Sequence, residues 1–329
     1  SIVLPESLTS IGDGAFYKTA IRNIAIPSAV NTIGNEAFRY CDKLTLVTIA
    51  DGALAAIGDY AFGNAMIESF VFPETTAEKL TIGKDIFRGC RKLTSLHLSK
   101  AVTVIDGAFD GSVALENVTV AEDNENFSAV EGLPVLYNKD KTVVRYVFGA
   151  LNDETMKLAA NIDEISDNAY AGQTGITTVV IPKGISKIGV GAFKNCTNLT
   201  TVIFEDGCVK LTELPAEMFE GCISLKNITL PVNATVIGKN AFEGCSSLEE
   251  VTMPVVEEIG ESAFENSGLK KFDIPASVYA VGKNAFKNSA MTEISLGLVK
   301  SIGEGAFEGT GLTSVVIPES VTLIGAGAF

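Results

Sequence analysis

The phrase I-G-x-x-A-F returns in close variants thirteen times along the 329 residues, each time closing on an aromatic. The closing residues are Phe16, Phe38, Phe62, Phe87, Phe109, Tyr170, Phe193, Phe219, Phe242, Phe264, Phe286, Phe307 and Phe329. Their successive gaps are 22, 24, 25, 22, 61, 23, 26, 23, 22, 22, 21 and 22 residues. A period in the twenties describes units too small to bury an apolar face alone, so each must stack on its neighbours. The expected fold is a single β-rich solenoid over 1–329, with about thirteen units.

Each unit continues into L-x-x-V-x-I, as in Ile21-Arg22-Asn23-Ile24-Ala25-Ile26 or Leu312 to Ile317. Its last three residues alternate apolar, variable, apolar, the signature of a strand with one buried face. A proline often follows (Pro27, Pro73, Pro182, Pro231, Pro254, Pro275, Pro318), where a missing N–H does no harm. A second apolar pair comes next, as in Val30-x-x-Ile33-Gly34, and its Gly is expected to make a tight bend that a Cβ would obstruct. Stacked at about 4.8 Å per unit, the strands predict a rod of roughly 60 Å or more. The Phe column belongs to its interior, where each ring contributes about 1.5–3 kcal/mol on full burial.

The cysteines follow the same frame. Cys41, Cys90, Cys196, Cys222 and Cys245 each lie three residues after the aromatic, a slot held elsewhere by Ala65, Ser112, Ser267, Ser289 and Thr310. A site that accepts Ala, Ser, Thr or Cys is a small buried turn position, and free Cys suits it as a small hydrophobe. A disulfide between neighbouring units, such as Cys222 with Cys245, is the weaker alternative. No C-x-x-C occurs and there is a single histidine, so no metal site is expected.

The combination L-x-x-V-x-I-P, V-x-x-I-G-x-x-A-F and the small turn slot resembles the BspA-like leucine-rich repeat family of bacterial surface and secreted proteins. The resemblance covers the chain apart from one insert. It implies a leucine-rich-repeat right-handed superhelix with a parallel sheet along one face, used for adhesion or protein binding. It implies no catalytic residue and no cofactor.

The exception is the 61-residue gap between Phe109 and Tyr170, about one ordinary unit plus 39 residues. Within 121–157, Asn138-Lys139-Asp140-Lys141 is polar and turn-like between two apolar runs, which predicts a hairpin-like insert. Inserts with D-G-V-L-Y-N-K-D occur in the same family; here Pro134 interrupts the first run and Val147-Phe148-Gly149 replaces the usual ending. The acidic tract Glu122-Asp123-Asn124-Glu125 lacks the spacing of a calcium loop.

Charge narrows the partners. The formal net charge of −15 repels phosphate and anionic lipid, and the Lys and Arg form no basic run, which excludes nucleic acid as an expected partner. No stretch approaches the roughly 18 apolar residues of a membrane-spanning helix, so direct membrane insertion of this segment is not expected. Residues 1–20 already read as repeat, with no export signal, and neither end offers the polar cap a solenoid needs. The sequence is therefore expected to be a fragment of a longer extracellular or cell-surface protein.

Catalytic signals are thin. His97, the sole histidine, sits in Leu96-His97-Leu98 at an outward strand position between Ser95 and Ser99, which describes a surface histidine rather than a general base. Glycines follow the repeat, and no phosphate-cradling loop is present. The remaining places for function are the outward strand columns, mostly small polar and β-branched residues that suit any pleated surface. The residues that depart from this are the candidate partner-binding face: Leu46, Val71, His97, Val180 and Ile203, then Glu250, Lys271, Asp273 and Glu293 toward the C-terminal half. The expected function is non-enzymatic binding of an extracellular protein or glycoprotein. The alternatives are a carbohydrate-binding module, disfavoured by the absence of Trp, a spacer presenting another domain, or an enzyme recognised by a tight cluster of charged residues above the sheet.

Overall fold

In the computed structural model the period-2 segments from Asn23–Ile26 to Glu293–Ser295 are strands that pair in parallel with a counterpart one unit away, while residues 312–317 carry the pattern without forming a strand. The structure describes residues 2–77, 79–105, 109, 114–130, 133–149, 151 and 155–329. Two compact units are present: residues 1–141 with 147–150, and residues 142–146 with 151–329.

In the first unit, the strands Asn23–Ile26, Leu46–Ile49, Ser69–Val71, Ser95–Leu98 and Asn117–Val120 form one parallel sheet. Equivalent residues are partners: Ile24 faces Val47, Val71 faces His97, and Leu96 faces Val118. The I-G segments are strands too. Ser10–Ile11, Thr32–Ile33, Ala56–Ile57 and Thr81–Ile82 form a second parallel sheet, where the sequence suggested only a bend. Residues of the 121–157 stretch contribute an antiparallel hairpin, Phe127–Ala129 with Val135–Asn138, in which Ser128 faces Tyr137. Asn124 anchors it: the buried side chain donates to the carbonyls of Ser99 and Val102 and accepts from the N–H groups of Asn126 and Phe127.

The second unit repeats the plan. One parallel sheet contains Thr155–Lys157, Thr178–Ile181, Thr201–Phe204, Asn227–Thr229 and Glu250–Thr252, and Lys271–Asp273 pairs with Glu293–Ser295. The I-G strands Glu213–Leu214, Val236–Ile237, Glu258–Ile259, Ala280–Val281, Ser301–Ile302 and Leu323–Ile324 form another.

The aromatics stack as a column inside each unit. Phe16 and Phe38 lie 5.0 Å apart with rings 3° from parallel, and Phe242 and Phe264 lie 5.2 Å apart at 1°. Tyr170 occupies the same column against Phe193 at 5.2 Å. Each such pair adds about 0.5–1.5 kcal/mol beyond the area it buries.

Three further columns hold the rungs together, and the first of them corrects the sequence reading. The I-G glycines have ordinary negative φ, so they make no unusual bend. A Cβ on Gly34 would stand 2.5 Å from the backbone N of Asp13, and one on Gly58 2.5 Å from that of Asn35. Glycine is required there because the backbone of one rung presses on the next. The bends lie instead at two left-handed positions per turn. One precedes the Ala of A-F (Glu36 φ 53°, Tyr60 φ 54°, Asn240 φ 56°) and one follows the aromatic by two (Tyr40 φ 59°, Asn64 φ 58°, Asn288 φ 55°). Asn recurs at both because it tolerates this region better than most side chains.

After the I-G glycine, an Asp or Asn side chain bridges rungs: Asp13 Oδ1 accepts from the N–H of Asn35, Asn35 Oδ1 from Asp59, and Asp59 Oδ1 from Lys84. Asp167 does the same for Val190. The third column is that of the thiols. Each donates its S–H to the carbonyl of the aromatic one rung back: Cys41 to Phe16 at 3.0 Å, Cys196 to Tyr170 and Cys222 to Phe193 at 3.1 Å, Cys245 to Phe219 at 3.2 Å. All six cysteines are free and buried. Ser112, in the same slot, lies outside the described residues.

Backbone bonds between rungs run in both directions. At the I-G strand the later rung donates to the earlier one (Gly34 N–H to Ile11, Gly58 N–H to Ile33). At the aromatic turn the earlier rung donates to the later one (Phe16 N–H to Ala37, Phe38 N–H to Ala61).

Candidate functional site

Strand alternation decides which side chains reach solvent. In the first unit Leu46 is 45% exposed and Val71 59% exposed on the outward face of the longer sheet. Val71 has His97 beside it in register, and His97 has Thr119. The imidazole Nδ1 and the Thr119 hydroxyl are 2.8 Å apart, so the ring is engaged along the sheet rather than aimed at a nucleophile. Leu46 faces Ser69 in the neighbouring outward column and is not joined to the Val71–His97 pair.

In the second unit Val180, half-buried, and Ile203, 46% exposed, are direct register partners. Lys271 and Glu293 are partners as well, and the Lys271 ammonium donates to Glu293 at 2.7 Å. Such an exposed pair contributes about 0–1 kcal/mol, and it removes both charges from the free inventory of the face. Asp273 faces Ser295, and Glu250 lies beside Asn227.

Next to Ile203 the surface opens into a shallow cleft of about 340 Å³ at the end of two neighbouring strands, lined among others by Ile203, Glu205, Asp206, Cys208, Thr229 and Val232. Val232 is 52% exposed at its wall. The cleft exists because the chain takes 26 residues rather than 22 or 23 from Phe193 to Phe219, the extra length forming the Glu205–Lys210 turn. That irregular spacing was the signal of the cleft, and reading only the repeated residues passes over it. Glu205 pairs with Lys157 at 3.3 Å and accepts from the N–H of Lys183, while Asp206 adds negative charge beside the apolar wall. The arrangement suits an extended segment with an apolar side chain flanked by donors or a cation.

Thiol chemistry is held back by burial. It pushes Cys90, Cys196 and Cys245 up to about 12, and Cys208 up to about 11 with help from Glu205. The thiolate is the nucleophile and the metal ligand, so these groups are protonated and inert near neutral pH. Among the described residues no three His, Cys, Asp or Glu side chains gather in a metal-binding cluster. Among the described residues no helix is long and apolar enough to cross a membrane.

The model of the BspA type leucine-rich repeat region matches residues 1–80, 135–214 and 212–329. The chain belongs to the BspA-type leucine-rich repeat family. Solved structures share the fold. A leucine-rich repeat protein from Eubacterium ventriosum superposes on 98% of this repeat chain and 79% of its own at TM-score 0.68 and 24% identity. A leucine-rich repeat protein from Bacteroides ovatus does so on 98% and 79% at TM-score 0.56 and 24% identity. A leucine rich cell surface protein from Faecalibacterium prausnitzii matches 86% of the BspA-type chain at TM-score 0.52 and 25% identity, and the chain spans 62% of that protein. No curated protein matches this BspA-type chain significantly.

Proposed function

We propose that the chain is a non-enzymatic protein-binding or adhesion module of a secreted or cell-surface bacterial protein. Its partner is an extracellular protein or glycoprotein. The observation that carries this reading is the exposed Ile203 at the rim of the acidic cleft, on a rigid parallel sheet. Family membership supports the location, as does the likeness to the Faecalibacterium prausnitzii cell surface protein. Binding energy at such surfaces concentrates in a few apolar or aromatic anchors while the surrounding contacts exclude water. Ile203 with Val180, Val232 and the cleft carboxylates fits that arrangement in the second unit, and Leu46, Val71 and His97 supply a milder apolar face in the first. Glu250, Asp273 and the Lys271–Glu293 pair belong to the polar surroundings.

The test is retention of extracellular-matrix proteins and mucins by the immobilised chain, compared with Ile203→Asp and Val232→Asp variants. Retention of a protein that falls at least about tenfold in either variant is expected for an apolar anchor. Retention of glycan chains released from their protein, but of no protein, would overturn the reading in favour of a carbohydrate-binding module.

A further inference from the structure

The aromatic turns of the first unit carry a surface unlike that of any other turn among the described residues. Tyr17, Lys18, Arg39, Tyr40 and Tyr60 interleave across three rungs. The Lys18 ammonium lies 5.1 Å from the Tyr17 ring and 5.6 Å from that of Tyr40, and the Arg39 guanidinium 5.0 Å from Tyr40 and 4.5 Å from Tyr60. Tyr17 and Tyr40 meet edge to face at 5.8 Å and are 37% and 39% exposed. Arg39 gives one nitrogen to Glu36 at 2.6 Å, but its buried Nε has no partner. This surface stands where the chain is least acidic: residues 1–105 hold ten Lys and Arg against ten Asp and Glu, and residues 106–329 hold fifteen against thirty, the whole of the −15.

The equivalent turn positions of the second unit have the opposite character. Glu220, Glu243 and Glu265 follow the aromatic on three successive rungs, with Glu217 beside them. Lys194 neutralises the start of the column, 2.9 Å from Glu217 and 3.0 Å from Glu220, and Lys287 pairs with Glu308. Glu243 and Glu265 have no ion pair among the described residues. Burial, with Glu220 and Glu265 as like-charged neighbours, holds Glu243 above the usual carboxylate range.

We propose that copies of this chain associate head to tail, with the Tyr17–Lys18–Arg39–Tyr40–Tyr60 surface of one seated on the Glu220–Glu243–Glu265 column of the next. Charge and period both favour a second copy as the occupant. The aromatic column beneath the cationic surface advances 5.0–5.3 Å per rung from Phe16 to Phe62, and the one beneath the glutamates 5.2–5.6 Å from Phe219 to Phe264. The rungs that carry Lys18 and Arg39 are therefore spaced nearly as those that carry the glutamates. A stacking sugar fits less well, because Lys18 and Arg39 already lie over the tyrosine rings. Tyr and Arg are also the residues that most often dominate protein interfaces. Since the two surfaces differ, the contact is heterologous and builds rings or open chains of molecules. It does not use the sheet face or the cleft, so it stands or falls separately from the reading above.

Sedimentation velocity on the full chain tests this at about 0.01 M salt, where charges act over roughly 30 Å, and at about 1 M, where the range is roughly 3 Å. The expected result is concentration-dependent association at low salt and a single small species at high salt. Lys18→Glu with Arg39→Glu removes one surface, and Glu243→Lys with Glu265→Lys the other. Each variant alone should lose association by at least about tenfold, as charge-paired interfaces do. Mixed with each other, the two double variants bring opposite charges together at both contacts and should regain association, whereas each alone opposes like charges. Each variant mixed with the unaltered chain retains one working contact and should cap its growth. Circular dichroism melts check that the variants fold, and Arg39→Gln and Glu243→Gln give the same readout with less perturbation. A chain that stays monomeric at low salt, or variants that associate as before, overturns the proposal. So does a monomeric chain that binds polyglutamate or hyaluronan through Lys18 and Arg39, since the surface would then serve a foreign acidic ligand.

Discussion

Oδ1 of Asp13 accepts a 2.6 Å hydrogen bond from the backbone N–H of Asn35, and Asn35 repeats the act for Asp59 at 2.8 Å. On these successive rungs a side chain on the rim of one turn thus sets the spacing to the next. Asn35→Ala leaves the Asp59 N–H to solvent and should cost about 0.5–1.5 kcal/mol, whereas Asn35→Asp should cost less because the acceptor remains. Urea unfolding of the two variants measures the difference, and equal losses would show that the bond contributes nothing.

The two kinds of glycine should respond differently to a methyl group. Gly58→Ala places a Cβ 2.5 Å from the backbone N of Asn35, where only movement of a whole rung relieves it, so a loss of about 2–3 kcal/mol or more is expected. Gly172 has φ +76° but open space around it, and Gly172→Ala should cost about 1–2 kcal/mol from backbone conformation alone. Thermal melts that rank Gly172→Ala as the worse change would contradict the close-approach account.

The hydroxyls of Ser267 and Ser289 are buried without a partner in the slot where cysteines reach a carbonyl. A C–S bond is longer than a C–O bond, so the thiol spans a gap that the hydroxyl does not. Ser267→Ala should therefore stabilise the chain by about 1 kcal/mol, and Cys222→Ser should destabilise it by about 1–3 kcal/mol. Denaturant midpoints check both signs.

Alkaline pH should weaken the fold through the same column. The ordinary thiol value is 9.0, and burial raises Cys90, Cys196 and Cys245 to about 12 in the folded chain. Between these values the folded state keeps protons that the unfolded state has lost, so stability is full below about pH 9 and falls as pH rises toward 12. Each thiol accounts for up to about 1.4 kcal/mol per pH unit in that window. Unfolding curves of the chain and of a Cys90→Ala, Cys196→Ala, Cys245→Ala variant should converge as pH rises above 9 if the thiols are responsible. Parallel curves would assign the loss to other groups.

The Phe column and the strands were legible because one residue type at one period leaves a single arrangement that buries the rings between its ends. The outward position of Leu46, Val71 and Ile203 followed from alternation in the same way. The roles of Gly34 and Gly58 were not legible, since a missing side chain serves a bend and a close approach equally well, and only the distance between rungs separates them. Asp13 and Asn35 were hidden for a related reason: a polar residue at a turn looks solvated until the next rung's N–H is seen above it. The cleft beside Ile203 arises from residues that break the period, and the cation–tyrosine surface from residues with no period at all. Both depend on which unlike residues stacking brings side by side.

The opposed backbone columns have an electrical consequence. In an α-helix every peptide bond points the same way, and the summed dipole places partial charge at the two ends. Here the bonds from Gly34 to Ile11 and from Phe16 to Ala37 point in opposite senses, and the same opposition recurs rung after rung. Their dipoles largely cancel along the stacking direction. Rungs can thus be gained or lost without creating a voltage between the ends, and the field around the protein is written almost entirely by its side chains.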